Sequence, residues 1–155
     1  MDAFVVNVPS PVGSFGVAGN ADELTAIFLP HERHRASRGA APTVVARAVI
    51  ELEEYLAGDR TRFDLRLAEV QATDFQRDVW SGLVAIPYGE VRTYTEIAAS
   101  VGHPRAFRAV GNANHVNPFP VVVPCHRVVA SRGLGGYGGG GEVKRFLLSL
   151  EGARF

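Results

Sequence analysis

Two capping boxes constrain this chain more tightly than any other feature. Thr73 is followed three residues on by Gln76, and Thr93 by Glu96. In such a pair the hydroxyl accepts from an orphan N–H of the first helical turn, while the longer side chain reaches back to the cap residue. The first box predicts a helix through Trp80 to Val84, ended ahead of Pro87 because the residue before a proline avoids the helical region. The second predicts a helix through Ile97 to Val101, stopped by Gly102. Pro104 suits the first turn of a further helix, running through Phe107 and Val110 to about Asn114. Two short helices joined by a tight glycine turn make a helix-turn-helix candidate, with Arg105 and Arg108 on its second helix.

The first 70 residues read differently. Phe4 to Val8, Ser14 to Val17 and Leu24 to Leu29 are short apolar or alternating runs broken by Pro11, Gly13 and Gly19-Asn20, and they predict strands. Val45, Val49, Leu52 and Leu56 recur at helical spacing, with Gly58 as the stop. Phe63, Leu65 and Leu67 alternate as one more strand. The expected fold is an α/β N-terminal domain, residues 1–70, with a small mixed sheet plus a helix. A linker near Ala68 to Thr73 leads to a mainly α, winged-helix-like helix-turn-helix C-terminal domain, residues 71–155. His31 and His34 lie in a polar loop with no third ligand nearby, so they read as loop residues and no metal is expected.

Charge separates the same two halves. The chain of 155 residues carries 16 Lys+Arg against 16 Asp+Glu, a net charge of zero. Residues 1–70 hold seven Arg against ten acids, and residues 71–155 hold nine basic residues against six acids. Between Arg92 and Arg132 there are five Arg and a single acid, Glu96. A local cationic stretch of this kind is what contact with a nucleic acid requires, whatever the total. One Cys excludes a disulfide framework and a Cys-based zinc site. The apolar runs are too short to span a bilayer, and the acidic start, Met1-Asp2-Ala3-Phe4, is no signal peptide. A cytoplasmic protein with no membrane partner is expected.

Pro124-Cys125-His126-Arg127 is the stretch that carries chemistry. A lone Cys is most often an inert buried residue. Here Val121 to Val123 reads as a buried strand ending at Pro124, which puts Cys125 where the chain leaves the core. His126 and Arg127 are positive neighbours, and such neighbours favour the nucleophilic thiolate. In an extended segment Cys125 and His126 would point to opposite sides, so proton transfer between them needs a turn or a bridging water. Glu151, at the end of the last amphipathic helix, is the available carboxylate to orient the imidazole. Gly133 to Gly138 fits the dinucleotide pattern G-x-G-x-x-G, but too little chain follows for the required βαβ unit. It reads instead as a pocket-lining loop with Tyr137 as its large side chain.

Asn117-Pro118, Pro124-Cys125-His126-Arg127-Val128, Tyr137 among glycines and the terminal Leu147 to Gly152 resemble the O6-alkylguanine-DNA alkyltransferases, or methylated-DNA–protein-cysteine methyltransferases. Ile86 to Val91 and Arg108-Ala109-Val110-Gly111-Asn112 resemble the same family, so that residues 73–152 are covered densely. The resemblance implies a single-turnover repair reaction. An alkylated guanine, with O4-methylthymine as the related lesion, is flipped out of double-stranded DNA and its alkyl group passes to the protein's own cysteine. It implies Cys125 as the acceptor, His126 as its base through a water, Glu151 as the group that orients His126, and Asn117 as a brace. Tyr94 would donate to N3 of the leaving guanine and the Gly138 N–H to O6. The carbonyls of Cys125 and Val128 would accept from the base's amino group, and Tyr137 would shape the pocket.

On the DNA side, the resemblance makes Arg108 the residue that fills the vacated stack. Arg105, Thr95, Ala106 and Gly111 would line the minor-groove surface, where small residues permit close approach. Phe107 is expected to turn inward as core rather than wedge against DNA. No cofactor is implied, since the damaged base is itself the donor, and the protein is expected to be a monomer that can bind DNA cooperatively. Two rival readings stand beside this one: a DNA binder that recognises the lesion without repairing it, and a cysteine hydrolase with His103 or His115 as base.

Overall fold

A computed structural model describes residues 3–137 and 140–155. The chain forms two compact units, Met1–Glu69 and Val70–Phe155.

In the first unit, three strands, β1 (Phe4–Val8), β2 (Phe15–Gly19) and β3 (Leu24–Phe28), form an antiparallel meander in the order β1-β2-β3. The Asn20 carboxamide closes the second turn, its Oδ1 accepting from the N–H groups of Asp22 and Glu23 at 2.9 and 3.0 Å. Helix α1 (Thr43–Leu56) packs on the sheet, and Val45, Ala48, Leu52 and Tyr55 join Phe15, Val17, Leu24 and Ile27 in the core. Every residue of β2 is buried, and Gly16 has no room for a side chain: a Cβ would sit 2.7 Å from His34 Cδ2. That glycine lets the His34 ring stack on Phe28, centroids 5.4 Å apart. His34 Nδ1 bonds the carbonyl of Glu32. Among the described residues, no group of three His, Cys, Asp or Glu could hold a metal ion.

Phe63, Leu65 and Leu67 do not form the further strand that their alternation predicts. Only one parallel bridge survives, Leu24 with Leu67, in which the Leu24 N–H donates to Arg66 and the Ala68 N–H donates to Leu24. The physical reason is a competing side chain. Glu51, buried on α1, accepts the Asp64 N–H at 2.8 Å and takes ion pairs from Arg47 and Arg60. Side chains of α1 thus hold the segment where a ladder would otherwise have formed.

The second unit is mainly helical: α2 (Asp74–Val84), α3 (Tyr94–Ser100), α4 (Phe107–His115) and α5 (Gly141–Leu150). Both capping boxes are present in full, each cap hydroxyl accepting the third residue's N–H and each long side chain accepting the cap's own N–H. Caps of this type stabilise a helix by about 1 kcal/mol each. Gly102, at φ +83, ends the run after α3. Helix α4 begins three residues later than Pro104 predicts, because residues 103–106 are taken by a turn closed from the Ala106 N–H to the His103 carbonyl. Arg105 therefore lies in the turn and not on the helix. Val110 and Ala113 are the packed stripe of α4, and the Trp80 indole N–H of α2 donates to the Ala113 carbonyl at 2.9 Å. Phe107, one turn before Val110 at the open end, is 46 % exposed, so the core expectation for it is corrected.

A two-stranded parallel pair completes this unit: β4 (Arg92–Thr93) and β5 (Val128–Val129), with Arg92 opposite Val128 and Thr93 opposite Val129. Since α3 starts at the next residue, Tyr94, this short pairing sets the first turn of α3 beside the chain that leaves Cys125. No helix among the described residues is long and apolar enough to cross a membrane.

Candidate active site

The segment before Cys125 is a strained turn, not the strand its three valines predict. Val121 takes φ +77 and is buried, an outlier for a β-branched residue. Asn117 holds the turn closed: its Nδ2 donates to the Val123 carbonyl at 2.8 Å and its Oδ1 accepts the Phe119 N–H at 3.0 Å. The Val123 N–H donates to Phe119, and the Cys125 N–H to Val123. Unpaired, these buried groups would each cost about 1–3 kcal/mol, which is what the strained valine offsets.

Cys125–Arg127 form one turn of 3-10 helix. At three residues per turn, successive side chains point about 120° apart. The expectation that Cys125 and His126 face opposite sides is thereby replaced by three diverging directions, all of them buried. His126 meets the last helix, where its Nε2 lies 2.8 Å from Glu151 Oε2. Arg127 runs to the same carboxylate: Nε donates to Oε1 at 2.8 Å, Nη2 to Oε2 at 3.0 Å, and Nη1 to the Ile86 carbonyl. The Gly89 N–H adds a contact to Oε1 at 3.2 Å. Glu151 occupies the C-cap of α5, so the whole carboxylate is delivered by the end of one helix.

This arrangement dictates the tautomer of His126. A carboxylate engaged by an Arg fork is an acceptor, so Nε2 carries the proton and Nδ1 keeps its lone pair. Nδ1 is buried and makes no hydrogen bond within the protein. The imidazole can therefore accept a proton at Nδ1 while Glu151 stabilises the cation that forms.

The electrostatics overturn one expectation. Burial pushes the Cys125 thiol up from its ordinary value, against smaller downward effects of Asn117, Tyr137 and Lys144. Burial also pushes His126 down, outweighing the upward pull of Glu151, and Arg127 and Lys144 push in the same downward direction. At rest the pair is a neutral thiol and a neutral imidazole. The neighbouring Arg127 does not yield a thiolate, because its charge is spent on Glu151. For the same reason Arg127 is a buried structural cation and not part of a DNA-facing surface.

Around the sulfur, the Tyr137 hydroxyl stands 3.9 Å from Cys125 Sγ. Tyr94, half-buried at the start of α3, donates its hydroxyl to the Gly136 carbonyl at 3.2 Å. Burial raises the Tyr94 phenol above its usual value, which keeps it a donor. Gly135, at φ +80, is the residue that lets this loop approach: a Cβ there would lie 2.9 Å from the Tyr94 ring. Gly111 on α4 lies against the other edge of that ring, where a Cβ would make ordinary contact at 3.9 Å. The Cys125 carbonyl accepts the Val128 N–H, and the Val128 carbonyl accepts Lys144 Nζ at 2.6 Å. A carbonyl has two lone pairs, so each can take one further donor. Gly138 lies outside the described residues.

Of the expected DNA-contacting residues, Thr95, Arg105 and Arg108 are exposed, and Ala106 and Gly111 are half-buried. His103 meets Phe75 edge-on and His115 is exposed at the end of α4, whereas the carboxylate is on His126. The geometry thus favours His126 over either rival base. Lys144 was not anticipated. It is the only lysine of the chain and lies three and four residues before the buried Leu147 and Leu148, on the face of α5 that packs inward. That spacing, against an otherwise all-arginine set of cations, is the signal that could have found it.

A model of the family described as "6-O-methylguanine DNA methyltransferase, DNA binding domain" matches residues 74–153. The chain is 45 % identical over 151 residues to a methylated-DNA–protein-cysteine methyltransferase of Mycobacterium tuberculosis, covering 95 % of this chain and 91 % of the relative. It is 40 % identical over 158 residues to the constitutive methylated-DNA–protein-cysteine methyltransferase of Bacillus subtilis, covering 96 % and 94 %. Among solved structures, the Mycobacterium tuberculosis O6-methylguanine methyltransferase superposes with a TM-score of 0.85 at 41 % identity, covering 99 % of this chain and 94 % of that one. The Mycobacterium tuberculosis OGT in complex with DNA gives a TM-score of 0.83 at 45 % identity, covering 94 % and 91 %.

Proposed function

The chain belongs to the methylated-DNA–protein-cysteine methyltransferase family, and we propose that Cys125 is the cysteine that receives the alkyl group. The protein is a DNA-repair methyltransferase that binds double-stranded DNA containing O6-alkylguanine and moves the alkyl group onto itself. The observation that carries the assignment of Cys125 is the buried turn that joins it to His126, whose Nε2 is 2.8 Å from Glu151 while Nδ1 is left as an acceptor.

The chemistry follows from these groups. Breaking an alkyl carbon–oxygen bond by displacement calls for a soft, strong nucleophile. The Cys125 proton passes by way of a water to His126 Nδ1, and Glu151 stabilises the resulting imidazolium. The sulfur then bonds to the alkyl carbon as the carbon–O6 bond breaks, and that electron pair stays on the guanine. The developing anion needs donors in place. Tyr94 supplies one at N3 when the incoming base displaces its contact with Gly136. Tyr137 bounds the alkyl side of the pocket, and the carbonyls of Cys125 and Val128 hold the base's amino group. The product thioether is stable, and the chain has no second thiol to reverse it, so each molecule reacts once.

A base within a duplex is out of reach, and extruding it costs a few kcal/mol. Arg108, exposed on the first turn of α4, fills the gap left in the stack. Thr95, Arg105, Ala106 and Gly111 bound the same groove-facing surface. A cytoplasmic setting suits a protein whose working group is one unpaired thiol.

The test is intact-protein and peptide mass spectrometry after incubation with duplex DNA containing O6-methylguanine. One methyl group, a gain of one CH2, is expected on the Cys125 peptide at one equivalent, with none in Cys125→Ala. An unmodified Cys125, or turnover beyond one equivalent, refutes the assignment.

A further inference from the structure

Lys144 is fully buried, and burial lowers its ammonium to about 8. A buried ammonium normally carries a carboxylate partner, because moving an unpaired charge out of water costs several kcal/mol. The contacts of Lys144 are of another kind. Nζ donates to the carbonyls of Val128 and Gly136 at 2.6 and 3.3 Å, and it sits 5.7 Å from the ring centroids of both Tyr94 and Tyr137. These four residues are the two sides of the base pocket. One is the chain leaving the 3-10 turn, another is the start of α3, and two belong to the glycine loop.

We propose that Lys144 is a positioning residue for alkyl transfer: its ammonium fastens the carbonyls of Val128 and Gly136 across the base pocket and holds a positive charge ready for the Cys125 thiolate. The proposal rests on Cys125 being the nucleophile. A cation seated among neutral dipoles gains little from a neutral thiol. It gains more once the sulfur becomes an anion, which happens only on the way to the transition state. Charge placed in advance for an anion that forms during reaction is the arrangement that most lowers a barrier of this kind. The coupling is visible from both sides, since Lys144 pulls the Cys125 thiol down and Cys125 pulls the Lys144 ammonium up. Arg127 does not replace it, being held by Glu151.

The titratable groups that face Lys144 are Cys125 and His126 on the 3-10 turn, Tyr94 on α3 and Tyr137 on the glycine loop. Glu142 and Arg145, its neighbours on α5, are exposed. Of these groups, only the Cys125 thiol changes charge in the reaction and lies low enough in pKa to be read without unfolding the protein.

The experiment compares wild type, Lys144→Met and Lys144→Arg by two readouts. The first is the pH dependence of Cys125 alkylation by iodoacetamide, which involves no DNA. The second is the single-turnover rate on duplex O6-methylguanine at pH near 7.5. Removing the charge is expected to raise the apparent thiol pKa by about one unit and to slow transfer more than about tenfold, while Arg restores most of both. Lys144→Met with the wild-type iodoacetamide profile overturns the proposal, as does Lys144→Arg reacting as slowly as Lys144→Met. If Lys144→Met does not fold, Lys144→Arg decides alone: a thiol pKa raised by about a full unit with the charge retained overturns it. A wild-type protein that takes iodoacetamide but no methyl group from DNA would sink the proposed function while leaving the iodoacetamide comparison intact.

Discussion

His126 and Glu151 are held 2.8 Å apart, Nε2 to Oε2, with both side chains shielded from water. The contact joins a 3-10 turn to the final residue of a helix that starts sixteen residues downstream of the cysteine, Gly141 against Cys125. It performs two tasks at once. It selects the tautomer that leaves Nδ1 free to accept a proton, and it closes a buried ion pair with Arg127.

Glu151→Gln separates those tasks. The amide can hold the ring, but it does not stabilise an imidazolium, and it leaves Arg127 without its counter-charge. Transfer is expected to slow by at least about 100-fold in a quenched single-turnover assay, the scale of a lost general base. Stability in urea should fall by about 3–5 kcal/mol, as when one partner of a buried ion pair is removed. A stability loss with an unchanged transfer rate would leave Glu151 a structural role only.

Arg108 is exposed on the first turn of α4, with no hydrogen bond or ion pair to another side chain given by the fold's own packing. Arg108→Ala should therefore leave thermal stability within about 0.5 kcal/mol of wild type. It is expected to slow transfer from duplex O6-methylguanine while sparing transfer from the free alkylated base, because only the duplex has a stack to fill. Equal slowing on both substrates removes the stack-filling role.

Val121 offers a test of strain. At φ +77 a residue with a Cβ costs roughly 1–2 kcal/mol more than glycine. Val121→Ala gives up buried methyl groups and keeps that cost, whereas Val121→Gly gives up slightly more surface and relieves it. Glycine elsewhere is the worse choice by about 0.5–1 kcal/mol. Here Val121→Gly is expected to be at least as stable as Val121→Ala by denaturant titration. The ordinary order, alanine the more stable, would show that the turn stores no such strain.

What could be read in advance shares one property: the partners lie close in sequence. Thr73 with Gln76 and Thr93 with Glu96 bond within a single turn, so residue identity alone dictates both helix starts, and both are present as expected. The period of Val45, Leu52 and Leu56 is equally local. Cys125 was legible from its immediate neighbours, and Glu151 from being the carboxylate at the end of the last helix.

The errors came where a distant group outbid a local preference. Phe63, Leu65 and Leu67 alternate as a strand should, but Glu51 on α1 takes the backbone N–H of Asp64. Three valines before Pro124 favour extended chain, but Asn117 bonds across the segment and bends it. Arg127 looked like an activator of its neighbour until Glu151, twenty-four residues away, claimed its charge. Lys144 carried no motif at all, and its contacts with Val128, Tyr94 and Tyr137 come from three other segments.

Sequence by itself determined the helix starts, the two-part division and the identity of the nucleophile, since each depends on residue type and short spacing. Tertiary structure alone decided that the thiol is neutral at rest, that Arg127 is a buried counter-ion, and that one lysine underlies the pocket. Those are matters of burial and of which charge meets which, and both are properties of the folded interior rather than of neighbours along the chain.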